Sequence, residues 1–326
     1  MTHHLLLISG NTEDIAFWQR IAADAGAQFH LETVLPNIRA ILNAHPECLV
    51  FWDAGIQESQ RAIEDLLKEA TRHSQVFAIT DEPVNRQPEL FRPPVFSHHI
   101  YRRYRDPAFN IYSKLINAAL TKNPFGFERY FPEKFERKTM KLTHSLDKQK
   151  VLEQIREFLE AHEVPARIIS SGLDAADELI MNAIFDAPCD QEKGYYRRGL
   201  QRTEGFDLSS REQAIVEIGF CQDFIGIKVS DNFGSLKRES ILKHLGRDFQ
   251  ADSYTVQETD PGAGLGLQKI NNLAMALLFV TQPKIRTEVM VFFGNAKSYR
   301  EFRLGYFSFF SIMEREPGTT SCKELD

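Results

Sequence analysis

Glu178-Leu179-Ile180-Met181-Asn182-Ala183 is followed about fifty residues later by Asp231-Asn232-Phe233-Gly234, and then by Gly262-Ala263-Gly264-Leu265-Gly266-Leu267. Glu178 and Asn182 are four apart, so a helix projects both from one face, and Asp186 continues that face. An Asn side-chain oxygen is a neutral ligand suited to Mg2+. A neighbouring Glu can orient a metal-bound water or act as a base. Asp231 ends the apolar run 225–229, where a carboxylate can accept a hydrogen bond from an adenine amino group. Gly262, Gly264 and Gly266, with Leu267 opening a helix, let backbone N–H groups approach phosphates at the positive end of that helix. No Gly-Lys-Ser/Thr follows, so this is not a Walker loop, and the dinucleotide fingerprint is absent too. Each piece alone has an ordinary reading: an exposed Asn, an Asp-Asn turn, a glycine hinge. Their order on helix, strand end and helix start is specific, and it reads as a site holding ATP through Mg2+.

Working outward, the segment 140–315 reads as one α/β unit. Strands are expected over 140–145, 214–220, 224–230, 287–293 and 304–313. Helices are expected over 147–162, 173–187, 236–245 and 267–278. The expected fold is a two-layer one, with helices over one face of a mixed, mostly antiparallel sheet. Residues 316–326 read as a frayed tail. Residues 1–120 alternate short apolar strands (5–9, 28–34, 48–52, 76–80, 95–100) with helical stretches (13–25, 38–43, 59–71, 107–120). That is the pattern of a parallel sheet covered on both faces. Residues 121–139 read as a linker, yet Phe125, Phe127, Tyr130 and Phe131 are more aromatics than a bare linker carries. They predict a docked segment at an interdomain or dimer contact.

The three nucleotide pieces resemble the Bergerat-fold ATPases, the group that includes histidine kinases, gyrase, Hsp90, MutL and the anti-sigma-factor serine kinases. Glu178 and Asn182 match that family's N box. Asp231 and Gly234 match its first glycine box, and Gly262, Gly264 and Gly266 its second. Thr287, in Arg286-Thr287-Glu288-Val289, matches its terminal Gly-Thr element, with Arg in place of Gly. The resemblance implies that Thr287 contacts the phosphates or supports their loop. It makes the stretch between Gly234 and Gly262 an ATP lid, carrying Lys237, Arg238, Lys243 and Arg247. Phe233 and Ser235 depart from the glycine box, and Phe185 stands where Lys or His often reaches toward phosphate. The loop with Tyr195, Tyr196, Arg197 and Arg198 is a candidate to compensate.

No helical hairpin bearing a phosphoacceptor His precedes this unit, and the single helix after a short strand is closest to the anti-sigma-factor serine kinases. That resemblance implies Glu178 as the base for a Ser/Thr hydroxyl on a partner, such as an anti-anti-sigma or sigma-type regulator. Two other readings stay open: a nucleotide-dependent interaction module without transfer, and a histidine kinase relative acting on a separate phosphotransfer protein.

The first 120 residues resemble the receiver domain of response regulators, a flavodoxin-like fold. Asp53, at the end of the third strand, matches the phosphoacceptor, and Thr80 the switch hydroxyl. The acidic pair after strand one is missing, with Glu13 and Asp14 slightly later. The lysine after strand five is missing as well, the local sequence being Phe96-Ser97-His98-His99. Phosphoryl transfer to Asp needs a divalent cation and a balancing charge. A degenerate receiver used for regulation or homodimer formation is therefore expected, with His98 and His99 in a loop.

Composition sets outer bounds. The chain has 326 residues, 25 of them Phe, and a formal charge of -6. That charge argues against a strongly electrostatic nucleic-acid binder. Cys48, Cys189, Cys221 and Cys322 lack Cys-x-x-Cys spacing and suit a reducing cytoplasm. No apolar run is long enough to span a membrane, and residues 1–8 are too short for a signal peptide.

Overall fold

The computed structural model describes residues 2–55, 60–72, 75–82, 90, 95–102, 106–190, 194–197, 204–245, 267, 270–271, 274–295 and 309–314. The first half opens with β1 (His4–Ile8), α1 (Thr12–Asp24), β2 (Gln28–Leu31), α2 (Leu35–Ala44) and β3 (Leu49–Asp53). It continues with α3 (Gln60–Ala70), β4 (Val76–Thr80), β5 (His98–Tyr101) and α4 (Asp106–Leu120). Every residue of β3 and β4 is buried, as strands covered on both faces require. α1 starts where the Asn11 side chain accepts from the Glu13 N–H at 2.8 Å, a cap worth about 1 kcal/mol. α2 carries Pro at its first turn and ends at His45-Pro46, as proline geometry dictates.

The second half runs β6 (Glu136–Lys141), α5 (Asp147–Ala161), α6 (Ala166–Met181), β7 (Cys189–Asp190), β8 (Gly194–Tyr195), β9 (Ile215–Phe220) and β10 (Phe224–Asp231). Then come α7 (Arg238–Leu245), β11 (Ala276–Gln282), β12 (Arg286–Gly294) and β13 (Phe309–Glu314). The molecule is a mixed α/β protein built on one large mixed sheet. Its eleven strands lie in the order β2-β1-β3-β4-β5-β13-β11-β12-β10-β9-β6. β1 to β5 pair in parallel, and β6, β9, β10, β12 and β11 form an antiparallel run. β13 joins them, antiparallel to β5 (Phe310 opposite His99) and parallel to β11.

Two apolar layers cover this sheet, and each runs through both halves. One joins Leu6, Val50 and Leu66 to Ile155, Leu179, Ile227 and Phe279 under α2, α3, α5 and α6. The other joins Trp18, Phe51 and Tyr112 to Phe127, Phe131, Phe224 and Phe292. The linker aromatics supply much of the second layer, since Phe125, Phe127, Tyr130 and Phe131 are all buried. Gly219 and Gly226, cross-strand partners on β9 and β10, make the space for them. A Cβ on either would meet the Phe131 ring at 2.7 or 2.8 Å. Arg286 stacks on Phe125 at 3.9 Å from the ring centre. The linker thus docks within the chain.

Several expected elements shift. Strand β6 starts at Glu136, inside the expected linker, and α6 starts at Ala166 rather than 173. Residues 276–278, expected to be the end of a helix, open strand β11 (276–282). A short, continuously apolar run has no periodicity to separate the two. His98 and His99 are not loop residues. Both are buried in β5, where His98 stacks on Phe77 and bonds the Ser311 hydroxyl at 2.6 Å. The Thr80 hydroxyl lies 2.8 Å from His99 Nε2 and donates to the Glu82 carbonyl. No helix among the described residues is long and apolar enough to cross a membrane.

Candidate functional site

α6 does not end as an α-helix. It runs into a π-helical turn over Asn182–Asp186, closed by the Ala187 N–H donating to the Asn182 carbonyl at 2.8 Å. Such turns recur at functional sites because they re-aim a row of side chains. Glu178, Asn182 and Asp186 share one half-buried face. With its amide nitrogen turned to satisfy both neighbours, Asn182 donates to Asp186 Oδ2 at 3.1 Å and to Glu178 Oε1 at 3.3 Å. Two carboxylates therefore hold one amide in a fixed plane, and all three offer the oxygen donors that a hard divalent cation takes.

Asp231 ends β10 with its side chain on the helix-covered face, in line with Ile225, Ile227 and Val229. The Phe233 and Gly234 N–H groups donate to its Oδ1 at 2.8 and 3.3 Å. Burial nevertheless dominates, pushing this carboxyl up from 3.8 to about 6 against the pull of those N–H groups. Thr287 sits directly across on β12, and Thr281 across from that on β11. The Thr287 hydroxyl adds a smaller lowering pull on Asp231 without meeting full hydrogen-bond geometry, and the buried Thr281 hydroxyl has no hydrogen-bond partner among the described residues. Among the described residues no cation pairs with Asp231.

Tyr196 links the neighbourhoods of the two groups. The Tyr196 N–H donates to the Pro188 carbonyl just beyond the π turn, and the Tyr196 ring stands edge-on to Phe233 just beyond Asp231. Gly234 is fixed by backbone crowding. Its φ is +58°, and a Cβ there would lie 2.1 Å from the Gln282 carbonyl oxygen. This glycine seats the chain against the β11–β12 turn, whose Lys284 N–H bonds the Gly234 carbonyl at 3.1 Å.

The cations proposed for phosphate are distributed differently from expectation. Arg197 is buried against Glu212 at 2.5 Å and lies over Phe206. Arg238 reaches into the other half, donating to the Phe96 carbonyl at 2.6 Å and the Ser97 hydroxyl at 3.0 Å. Phe185 is buried in the core. Lys237 and Lys243 face solvent. Gly262, Gly264 and Gly266, with Arg198 and Arg247, lie outside the described residues, whereas Leu267 is helical and buried.

A second acidic group surrounds Asp53 at the end of β3. The Ser9 hydroxyl lies 2.7 Å from Asp14 and 3.1 Å from Asp53. Arg102, immediately after β5, places its guanidinium among three carboxylates: Asp14 at 2.9 Å, Asp53 at 2.7 Å, and Asp81. Its side chain is only 4 % exposed. Burial works against its charge, but the bonds to Asp14, Asp81 and Asp53 outweigh burial and hold its pKa above the ordinary value. Asp14 and Arg102 thus complete a closed polar group around Asp53. Sequence reasoning missed Arg102 because the apolar pair Val95-Phe96 drew the fifth strand forward. The signal was available, as an Arg directly after the strand next to that of Thr80.

No protein-family model matches the chain, and no curated protein matches its sequence.

Proposed function

We propose that this chain is a signalling protein that binds ATP with Mg2+ through a Bergerat-type site in its second half. The carrying observation is the buried Asp231 at the end of β10, uncompensated by any described cation and backed by Thr287. An apolar slot ending in one acceptor suits an adenine amino group, because a buried carboxylate held by two N–H groups but by no described cation still gains from a further donor. The donor set fits the metal as well. Asn182 would hold Mg2+, with Asp186 supporting its amide, and bound Mg2+ would neutralise phosphate charge. Glu178, which keeps Asn182 in plane, is the base that would take the proton of a Ser/Thr hydroxyl on a partner protein, such as a sigma-type regulator or its antagonist.

The first half is read as a flavodoxin-like, receiver-type regulatory module whose phosphorylation chemistry is disabled. Its strand order β2-β1-β3-β4-β5 supports that reading. The Arg102 guanidinium fills the acidic group where a divalent cation would have to enter. Arg238, at the start of α7, ties the lid-side helix to Phe96 and Ser97, which gives the regulatory half a direct hold on the lid.

A second reading has its own support: Arg197 is engaged by Glu212, and Arg238 by Phe96 and Ser97. It makes the protein a nucleotide-dependent interaction module without transfer. Incubation with γ-labelled ATP and a cell extract separates the two. Acid-stable label on a second protein supports Ser/Thr transfer. Saturable binding with no transferred label supports the module. Acid-labile label on a second protein would contradict both and indicate a histidine acceptor.

A further inference from the structure

His4 opens β1, His30 lies on the neighbouring β2, and His45 caps the end of α2. Parallel pairing sets His30 opposite Leu6, on the same sheet face as His4 two residues earlier. The end of α2 brings His45 onto that face. Ring nitrogens of all three lie within 4.8 Å of one another, and each residue is half-buried. His4 Nδ1 and His30 Nε2 are 3.0 Å apart, and the His4 and His45 rings stack at 3.6 Å between centres. No other group of three or more His, Cys, Asp or Glu among the described residues has ligand atoms placed to share a metal ion.

From this convergence we propose that His4, His30 and His45 form a three-imidazole site for a borderline divalent metal ion, Zn2+ in the first instance. Imidazole nitrogens select Zn2+, Ni2+ or Cu2+ over the hard cations Mg2+ and Ca2+. Tetrahedral Zn–N bonds of about 2.0–2.1 Å need nitrogens a little over 3 Å apart; His4 and His30 already stand at 3.0 Å, and the His45 ring must turn out of its stack on His4 to complete the ligand set. Three protein ligands leave a fourth position for water. The three ligands come from β1, β2 and the end of α2, so the ion would clip the outer edge of the sheet to its covering helix. This site is separate from the proposed nucleotide site and owes nothing to it.

The test is a titration of metal-free full-length protein with Zn2+ by calorimetry, with a parallel Co2+ titration read by visible absorption. The expected result is one Zn2+ per chain, a tetrahedral Co2+ spectrum without thiolate charge-transfer bands, and no competition from excess Mg2+. His30→Ala and His45→Gln should each weaken Zn2+ binding more than about 100-fold, beyond the loss typical of an outer-shell partner. His45 lies at a helix end, so His45→Gln should keep its fold, checked by circular dichroism. No Zn2+ binding by the full chain, unchanged affinity in His45→Gln, or a thiolate-type Co2+ spectrum would each overturn the site.

Discussion

The molecule holds two buried or half-buried acidic groups at strand ends, and they are completed in opposite ways. Around Asp53, three carboxylates converge and Arg102 already sits among them. Around Asp231, one carboxylate is buried against apolar neighbours, with threonines alongside and no described cation. The first group is electrostatically closed. The second carries a desolvation cost that a bound donor could relieve. A carboxylate at a strand end is therefore not a site by itself; the nearest cation decides whether the fold or a ligand completes it.

The largest expected effect is at the closed group. Arg102→Met should destabilise the fold by about 3–5 kcal/mol, the cost of stranding buried charges by removing one partner. Urea denaturation would measure it, and a loss below about 1 kcal/mol would mean that water, not Arg102, compensates these carboxylates.

At the open group the sign should reverse. The folded pKa of Asp231 is raised from 3.8 to about 6. The folded state then binds the proton more tightly, and stability is lost as pH rises from about 4 to about 6. That cost is fully present at pH 7. Asp231→Asn should therefore stabilise the protein at pH 7 by up to about 3 kcal/mol, two pKa units at 1.36 each. It should also flatten that part of the pH–stability curve, while weakening ATP binding roughly 10- to 100-fold. A destabilised variant would mean that the Phe233 and Gly234 N–H bonds outweigh burial.

A smaller structural change is expected from Asn182→Ala. Stability should move by less than about 1 kcal/mol on this half-buried face, while the Mg2+-dependent part of ATP affinity disappears. Retained magnesium dependence would remove Asn182 from the metal site. The smallest expected effect is at Asp53. Small phosphodonors should leave no covalent phosphate on the native chain, and Asp53→Ala should look the same by intact mass. Phosphate on the native chain that Asp53→Ala loses would show that Arg102 leaves room for a divalent cation.

Much of this was readable from the residues, because it depends on local pattern. The runs 49–53 and 76–80, the helix spacing of Glu178 and Asn182, and the strand ending at Asp231 are all short-range signals. The aromatic cluster of the linker gave away its docking for the same reason. What escaped depends on long-range pairing. β13 matches β5 and β11 only once the chain has folded back, so nothing local announced that one sheet crosses both halves. Arg102 was hidden by a strand placed three residues too early, and Arg238 by a contact 141 residues away in sequence. The π turn at Asn182 leaves no mark in residue type, since α-helix and π turn differ only in which carbonyl the Ala187 N–H finds.

The central claim is that Asp231 and the Glu178–Asn182 face form one nucleotide site, and the most direct measurement is calorimetric titration of ATP into the purified chain with and without Mg2+. One ATP per chain, bound more tightly with Mg2+ and weakened by Asp231→Asn, is the predicted result. Absence of binding in both conditions, or binding indifferent to Mg2+ and to Asp231→Asn, would contradict it.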